Sequence, residues 1–255
     1  MRRIDLNCDL GESYGAWQMG QDEAVLDAVS SANIACGFHA GDPGVMRRTV
    51  QLAAARGVVI GAHPSLPDLQ GFGRREMALS ADEARDLVLY QIGALWSFAK
   101  SAGVPLRHVK PHGALYNMAA RDAALAAAIA AAVAEFDRGL ILVGLAGSAL
   151  LAAGRNAGLH VAAEAFCDRR YRADGSLTPR REAGSVIHDV DAAVAQGLSI
   201  ALHGRAVAGD GSEVAISADT LCIHGDKPDA AEFARRLRAE LERAGVAVAA
   251  LGAAA

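Results

Sequence analysis

Residues 32–63 read ANIACGFHAGDPGVMRRTVQLAAARGVVIGAH, and this stretch carries the fold. It opens on an apolar run, Ala32–Cys36, and passes through a glycine-rich turn to Asp42-Pro43. An aspartate there caps a helix and a proline fits the first helical position. Gly57 closes that helix, and a second apolar run, Val58–Ala62, follows at once. Strand, helix and strand in so short a span make a parallel pair joined by a crossover. Continuous apolar runs, rather than alternating ones, suit parallel strands covered on both faces.

The same alternation runs outward in both directions. Further strand candidates are Ile4–Cys8, His108–Lys110, Leu140–Leu145, Val161–Phe166, Leu198–Leu202 and Thr220–Ile223, about eight in all. Ser80-Ala81-Asp82-Glu83 reads as a capping box opening a helix to about Ser101. Asp226-Lys227-Pro228 opens a last helix that ends near Gly245. The segment Asp168–Ser185, polar and arginine-rich, predicts a long loop over one end. Asp210-Gly211, between short β-like runs, predicts a small hairpin within Ala206–Ser217. His108 and His160 are expected to begin strands at the far end of the fold, and His188 to lie on a helix. Repeated strand–helix units give an α/β chain, with one irregular (β/α) barrel over residues 1–255 as the expectation. A dinucleotide-binding sheet is disfavoured, since no G-x-G-x-x-G follows the first strand.

Composition narrows the function. The chain has 255 residues, 52% hydrophobic and 21% charged, which excludes disordered, collagen-like and disulfide-stapled classes. A net charge of −4 offers no basic surface for nucleic acid. Four scattered cysteines form no C-x-x-C pair, no apolar run is long enough to span a bilayer, and MRRIDLNCDLGES does not read as a signal peptide. These point to reduced thiols and the cytoplasm, with no membrane partner.

Residues able to do chemistry gather just after the strand candidates. Asn7, Asp9, Glu12 and Ser13 follow the first, His39 and Asp42 the second, and His63, Asp68, Arg74 and Arg75 the third. Lys110, His112 and Tyr116 follow the fourth, Glu164, Asp168 and Arg169 the sixth, and His224 and Asp226 the last. In a βα barrel all these meet at the C-terminal rim, where barrel enzymes place their sites. Plainer roles compete: Asp42 and Asp226 are helix caps, while Asn7 and Asp9 are also placed to bond the Gly11 turn. No H-E-x-x-H, G-x-S-x-G or G-x-x-x-x-G-K-[ST] motif is present. What remains is acid–base chemistry by Asp, Glu and His, with Lys or Arg holding an anion. A divalent metal on His39, His63 and Asp9 would also suit hydrolysis.

At these same segments the chain resembles the LamB/YcsF family. The matching blocks are DLNCDLGES (5–13), NIACGFHAGDP (33–43), GAHPSLPDLQGFGRR (61–75), HVKPHGALYN (108–117), EAFCDRRY (164–171), GSLTPR (175–180) and ADTLCIHGD (218–226). They run through the whole chain in family order. The resemblance implies an irregular βα barrel of the glycoside hydrolase/deacetylase type. It also implies the reaction 5-oxo-L-proline + ATP + 2 H2O → L-glutamate + ADP + phosphate, performed with subunits B and C, ATP being a co-substrate. Fitted to that chemistry, Asp9 or Glu164, helped by His39 or His63, activates water. His112 and His224 are candidates for protonating the leaving nitrogen. Lys110, Arg74 or Arg75 holds the substrate carboxylate or the phosphate, and Asn7, Tyr116 and Arg169 complete the binding set. Two rival readings stand beside it: a metal-dependent deacetylase or amidohydrolase acting alone, and a non-catalytic subunit that binds the lactam and regulates.

Overall fold

Asp42 accepts hydrogen bonds from the backbone of Gly44 at 2.8 Å and Val45 at 3.0 Å, and Pro43 fills the first helical position, so a helix starts where the sequence places one. The computed structural model describes residues 2–224 and 229–252. Asp226, and the side chain of His224, fall outside the described residues.

The first half of the chain forms β1 (Arg2–Leu10), α1 (Asp22–Leu26), β2 (Ser31–Ala35), α2 (Pro43–Ala55), β3 (Val59–His63), α3 (Ala81–Ser101), β4 (Leu106–Val109) and α4 (Gly113–Arg121). Then come α5 (Ala123–Phe136), β5 (Ile141–Leu145), α6 (Ala149–Asn156), β6 (His160–Phe166) and α7 (Val190–His203). The last elements are β7 (Arg205–Val207), β8 (Glu213–Ala215), β9 (Thr220–His224), α8 (Ala230–Arg243) and β10 (Val246–Val248). Ser80 and Glu83 form the expected capping box at the start of α3. β7 and β8 pair as the expected antiparallel hairpin.

Among the described residues, β1, β2, β3, β4, β5, β6 and β9 pair in parallel in that order, and β9 returns to β1, closing a seven-stranded barrel. The expected eighth strand is a correction. Leu198–Leu202 lies inside α7, which Asp189 caps through Ala192 N and Gly204 ends in a left-handed conformation. Its buried residues Ala193, Gly197 and Ile200 recur at helical spacing, so the run packs as one helix face. With no strand there, β9 pairs directly with β6.

Two further placements differ from expectation. His188 lies in the loop ahead of the Asp189 cap and not on a helix. His160 does begin β6, but His108 sits deep in β4 and points into the barrel, where its ring bonds Asn33. The interior is polar at this level. Asp5, Asn7 and Asp9 of β1 face inward, while Leu6, Cys8 and Leu10 between them join the apolar layer under the helices.

Candidate active site at the barrel mouth

A hydrogen-bonded floor fills the barrel below its C-terminal rim. Asp5 accepts from the hydroxyls of Ser30 and Ser31, each at 2.7 Å, and from Thr220. Asn7 Nδ2 donates to Thr220 Oγ1 at 2.7 Å. Asn33 Nδ2 donates to Asn7 Oδ1 at 2.7 Å and to Asp9 Oδ1 at 2.8 Å, and its own Oδ1 accepts from His108 Nε2 at 2.7 Å. The sequence placed Asn7 and Asp9 near the Gly11 turn; Gly11 N instead donates to Asp22. His108 lies flat against Gly61, where a Cβ would come within 2.1 Å of its ring. Burial, and then the charge of Lys110, lowers the His108 imidazole to about 3, so it is neutral.

Lys110, just past β4, stands on this floor. Its ammonium lies 2.9 Å from Asp9 Oδ1, 2.7 Å from Glu164 Oε1, 3.1 Å from Asn7 Oδ1 and 3.2 Å from Cys222 Sγ. Burial works to lower its pKa, but Asp9, Cys222 and Glu164 outweigh it and hold Lys110 well above the ordinary lysine value. Two carboxylates therefore share one buried cation. Asp9 keeps 10% of its side chain exposed and Glu164 none, so only Asp9 reaches toward the mouth. The Tyr116 hydroxyl lies beside Glu164; burial, reinforced by that carboxylate, pushes it well up and keeps it protonated.

Above the floor, three histidines and a glutamate converge. One donor atom from each of Glu12, His39, His63 and His112 lies within 4.8 Å of the others. His39 Nε2 is 3.0 Å from Glu12 Oε1, and its ring stacks on His112 with centroids 3.8 Å apart. His63 Nδ1 contacts the Lys110 carbonyl at 2.7 Å, and His112 Nε2 contacts that of Phe72 at 2.9 Å. His63 Nε2 and His112 Nδ1 face each other at 3.0 Å, with Asp9 Oδ2 3.3 Å from the former and Glu12 Oε1 3.5 Å from the latter. Burial, and then the neighbouring imidazoles, holds His39 and His112 well below the ordinary histidine value.

The Gly71-Phe72-Gly73 turn seals one side. Gly73 has φ +64°, and a Cβ there would meet Ser65 Oγ at 2.1 Å and both His112 and His39 at 2.9 Å. Phe72 holds φ +55°, a costly conformation for a side-chain-bearing residue, and so aims its carbonyl at His112. The two arginines after this turn part company. Arg75 bonds Asp68, which also accepts from Gly71 N, so it ties the turn down. Arg74 lies 4.8 Å over the Phe72 ring, which itself packs edge-on against His39 and His112.

The structure thus brings Asn7, Asp9, His39, His63, Lys110, His112, Tyr116 and Glu164 together, with Arg74 beside them. Arg169 is buried, its guanidinium bonded to the carbonyls of Thr178 and Ser185. Burial, and then Arg180, lowers it to about 10. The loop expected at 168–185 is held by short bridges at Arg169–Val186 and Tyr171–Leu177. His224 ends β9 in register with Asp9, and its side chain is outside the described residues. Glu12 is more central than its sequence position suggested. Asn33, His108 and Thr220 were missed as members of the network. The available signal was a polar side chain within an apolar run.

Comparison with known proteins shows the family and the fold. The profile described as the LamB/YcsF family matches residues 4–255. A protein of Methylococcus capsulatus, named as the A subunit of 5-oxoprolinase, is 64% identical over 251 residues, covering 98% of this chain and 96% of the relative. The crystal structure of a lactam utilization protein from Thermus thermophilus superposes with TM-score 0.92 at 55% identity, over 98% of this chain and all of that one. A structure described as T48 deacetylase with substrate gives TM-score 0.51 at 15% identity, over 97% of this chain and 87% of that one, a likeness of fold alone.

Proposed function

The chain belongs to the LamB/YcsF family, and from that premise we propose that it acts as the A subunit of an ATP-dependent 5-oxoprolinase. It receives 5-oxo-L-proline at the barrel mouth, where one water is added to open the lactam to L-glutamate and a second is consumed as ATP becomes ADP and phosphate. Subunits B and C are the partners. The observation that carries the reading is the buried cluster of Asp9, Lys110, Glu164 and three histidines at one rim, in a chain whose high-identity relatives bear that subunit name.

The five-membered lactam is a stable amide, since closure from glutamate is intramolecular and entropically favoured. Opening it requires an activated carbonyl, for which phosphorylation of the lactam oxygen is one route. This chain's residues then have separable roles. Asp9 is the base: its Oδ1 is held by Lys110 and Asn33, its Oδ2 faces His63, and it is the more accessible carboxylate of the pair. A base so placed is worth about 10²–10⁴ in rate. Lys110 pairs with both Asp9 and Glu164, and Asn7 and Tyr116 line the same interior. Arg74 is the anion-binding arginine at the mouth, and Arg169 stiffens the loop beside it. His224, whose strand end is in register with Asp9, is the candidate to protonate the departing nitrogen, and His112 takes that role only where its ring holds no metal ion. A divalent ion fits between Glu12, His63 and His112, beside His39, where it would polarise a carbonyl or acidify water.

Glutamate release from 5-oxoproline and ATP, measured with this chain alone and with subunits B and C, tests the reading. The expected result is glutamate only in the full mixture. No glutamate in a mixture whose B and C work with the A subunit of a relative would overturn it. A lone metal-dependent amidohydrolase would instead release product without ATP or partners.

A further inference from the structure

We propose that His63 Nε2, His112 Nδ1 and the Glu12 carboxylate bind one divalent transition-metal ion, with His39 orienting Glu12 from outside the ligand set. The inference deepens the reading of this mouth as the reaction site, yet its test needs no lactam.

The argument begins with the ring protons. A backbone carbonyl only accepts, so the 2.7 Å contact between His63 Nδ1 and Lys110 O places the His63 proton on Nδ1. The 2.9 Å contact between His112 Nε2 and Phe72 O likewise places the His112 proton on Nε2. Both remaining nitrogens carry lone pairs, and these face each other across 3.0 Å. Asp9 Oδ2 and Glu12 Oε1 flank them at 3.3 and 3.5 Å, and carboxylates also only accept. Two imidazole lone pairs facing each other at 3.0 Å, with carboxylates at their sides, call for a positive centre between them. A single proton satisfies one of these contacts; a divalent ion satisfies several together.

Spacing and chemistry agree. Metal–nitrogen bonds of about 2.0–2.1 Å in a tetrahedron separate donors by roughly 3.3 Å. The observed separations of 3.0 Å between the imidazoles and 3.5 Å between His112 and Glu12 bracket that value. Imidazole with carboxylate selects zinc, iron, cobalt, nickel or manganese over the all-oxygen cages of calcium and magnesium. Each ligating ring already donates its other N–H to a carbonyl, the outer contact that fixes a metal-binding histidine. His39 is built differently. Its Nδ1 is buried with no partner among the described residues, so its proton belongs on Nε2, donated to Glu12 at 3.0 Å. Three protein ligands leave coordination positions open, as in catalytic rather than structural sites.

The test uses the full chain, stripped with a chelator and titrated with Co2+ and with Zn2+. The expected result is one ion retained per chain after gel filtration, visible Co2+ ligand-field bands and a rise in Tm with zinc. Glu12→Gln and His112→Ala should each abolish retention. His39→Gln, which can still donate to Glu12, should retain the ion with affinity about 10–100-fold weaker. A folded wild-type chain that retains neither ion overturns the proposal, and needs no variant to do so. Loss in His39→Gln as complete as in His112→Ala overturns the ligand assignment. Lactam opening by a complex whose A chain retains neither ion would overturn the metal site and leave the lactam reading standing. Stoichiometric metal without lactam opening would do the reverse.

Discussion

Lys110 Nζ stands 2.9 Å from Asp9 Oδ1 inside the barrel, with both side chains almost wholly buried. Removing one partner of such a pair costs more than the pair itself contributes, because the other charge is left desolvated. Here Glu164 would be stranded as well. Lys110→Met should therefore lower stability by about 3–5 kcal/mol in urea denaturation. It should also abolish glutamate formation in the reconstituted complex. A loss under about 1 kcal/mol would contradict this account of the floor.

Gly73 holds the histidines in place by having no side chain. Gly73→Ala would force a methyl between Ser65, His39 and His112 at a φ of +64°. Strain and overpacking together should cost roughly 2–6 kcal/mol. Gly93→Ala makes the control: it lies within α3, a Cβ there meets nothing within 4 Å, and stability should rise by up to about 1 kcal/mol. Differential scanning calorimetry of the two variants, showing opposite shifts in Tm, is the expected result.

Acid should loosen the barrel through His108. Its folded pKa is lowered to about 3 by burial and by Lys110, while the unfolded chain protonates the same ring near 6.5. Between those values the unfolded state binds the extra proton. This contribution is thus whole above about pH 6.5 and is lost as pH falls toward 3, at up to about 1.4 kcal/mol per unit. Urea midpoints of chelator-treated protein should fall from about pH 7 to about pH 5. His108→Gln, which keeps a donor toward Asn33, should show a shallower fall. Identical slopes would rule His108 out as the cause.

Arg74 and Arg75 should separate in kinetics. Arg75 is engaged by Asp68, whereas Arg74 lies over Phe72 beside the histidines. Loss of a charge-assisted contact to a substrate anion costs about 1.5–3 kcal/mol. Arg74→Ala should accordingly raise the KM for 5-oxoproline roughly tenfold or more. Arg75→Ala should lower Tm through the loosened turn and leave that KM near wild type. Equal KM effects in both variants would return Arg75 to the anion-binding set.

These features were unequally legible in the sequence. Caps speak locally: Asp42-Pro43 and Ser80–Glu83 announce their helices because the bonds they make reach only two or three residues. The rim residues were legible as a set, since strand ends in a barrel share one face. Leu198–Leu202 was not, because a short apolar run fits a helix face as well as a buried strand, and only the Asp189 cap and Gly204 terminus decide it. Asn33 and His108 hid among apolar neighbours, and their inward direction depends on the register β2 takes against β1 and β3 and the register β4 takes against β3 and β5. Which histidine nitrogen carries a proton follows from carbonyl partners distant in the chain, and the split between Arg74 and Arg75 from a turn that the fold closes on Asp68.

β1 is flanked by β2, but it also pairs with β9 and β10. Asp5 bonds Thr220 across 215 residues, and Arg2 registers with Val246. During synthesis, then, β1 waits until Thr220, 215 residues after Asp5, for its other neighbours. Until Thr220 arrives, Asp5 and Asn7 lack the hydroxyl that joins them and one edge of the sheet stays open. Closure of such distant pairs is slow relative to helix formation. The nascent chain is therefore most exposed to aggregation in the interval before β9 and β10 appear, and a helper that shields an open strand edge would act there.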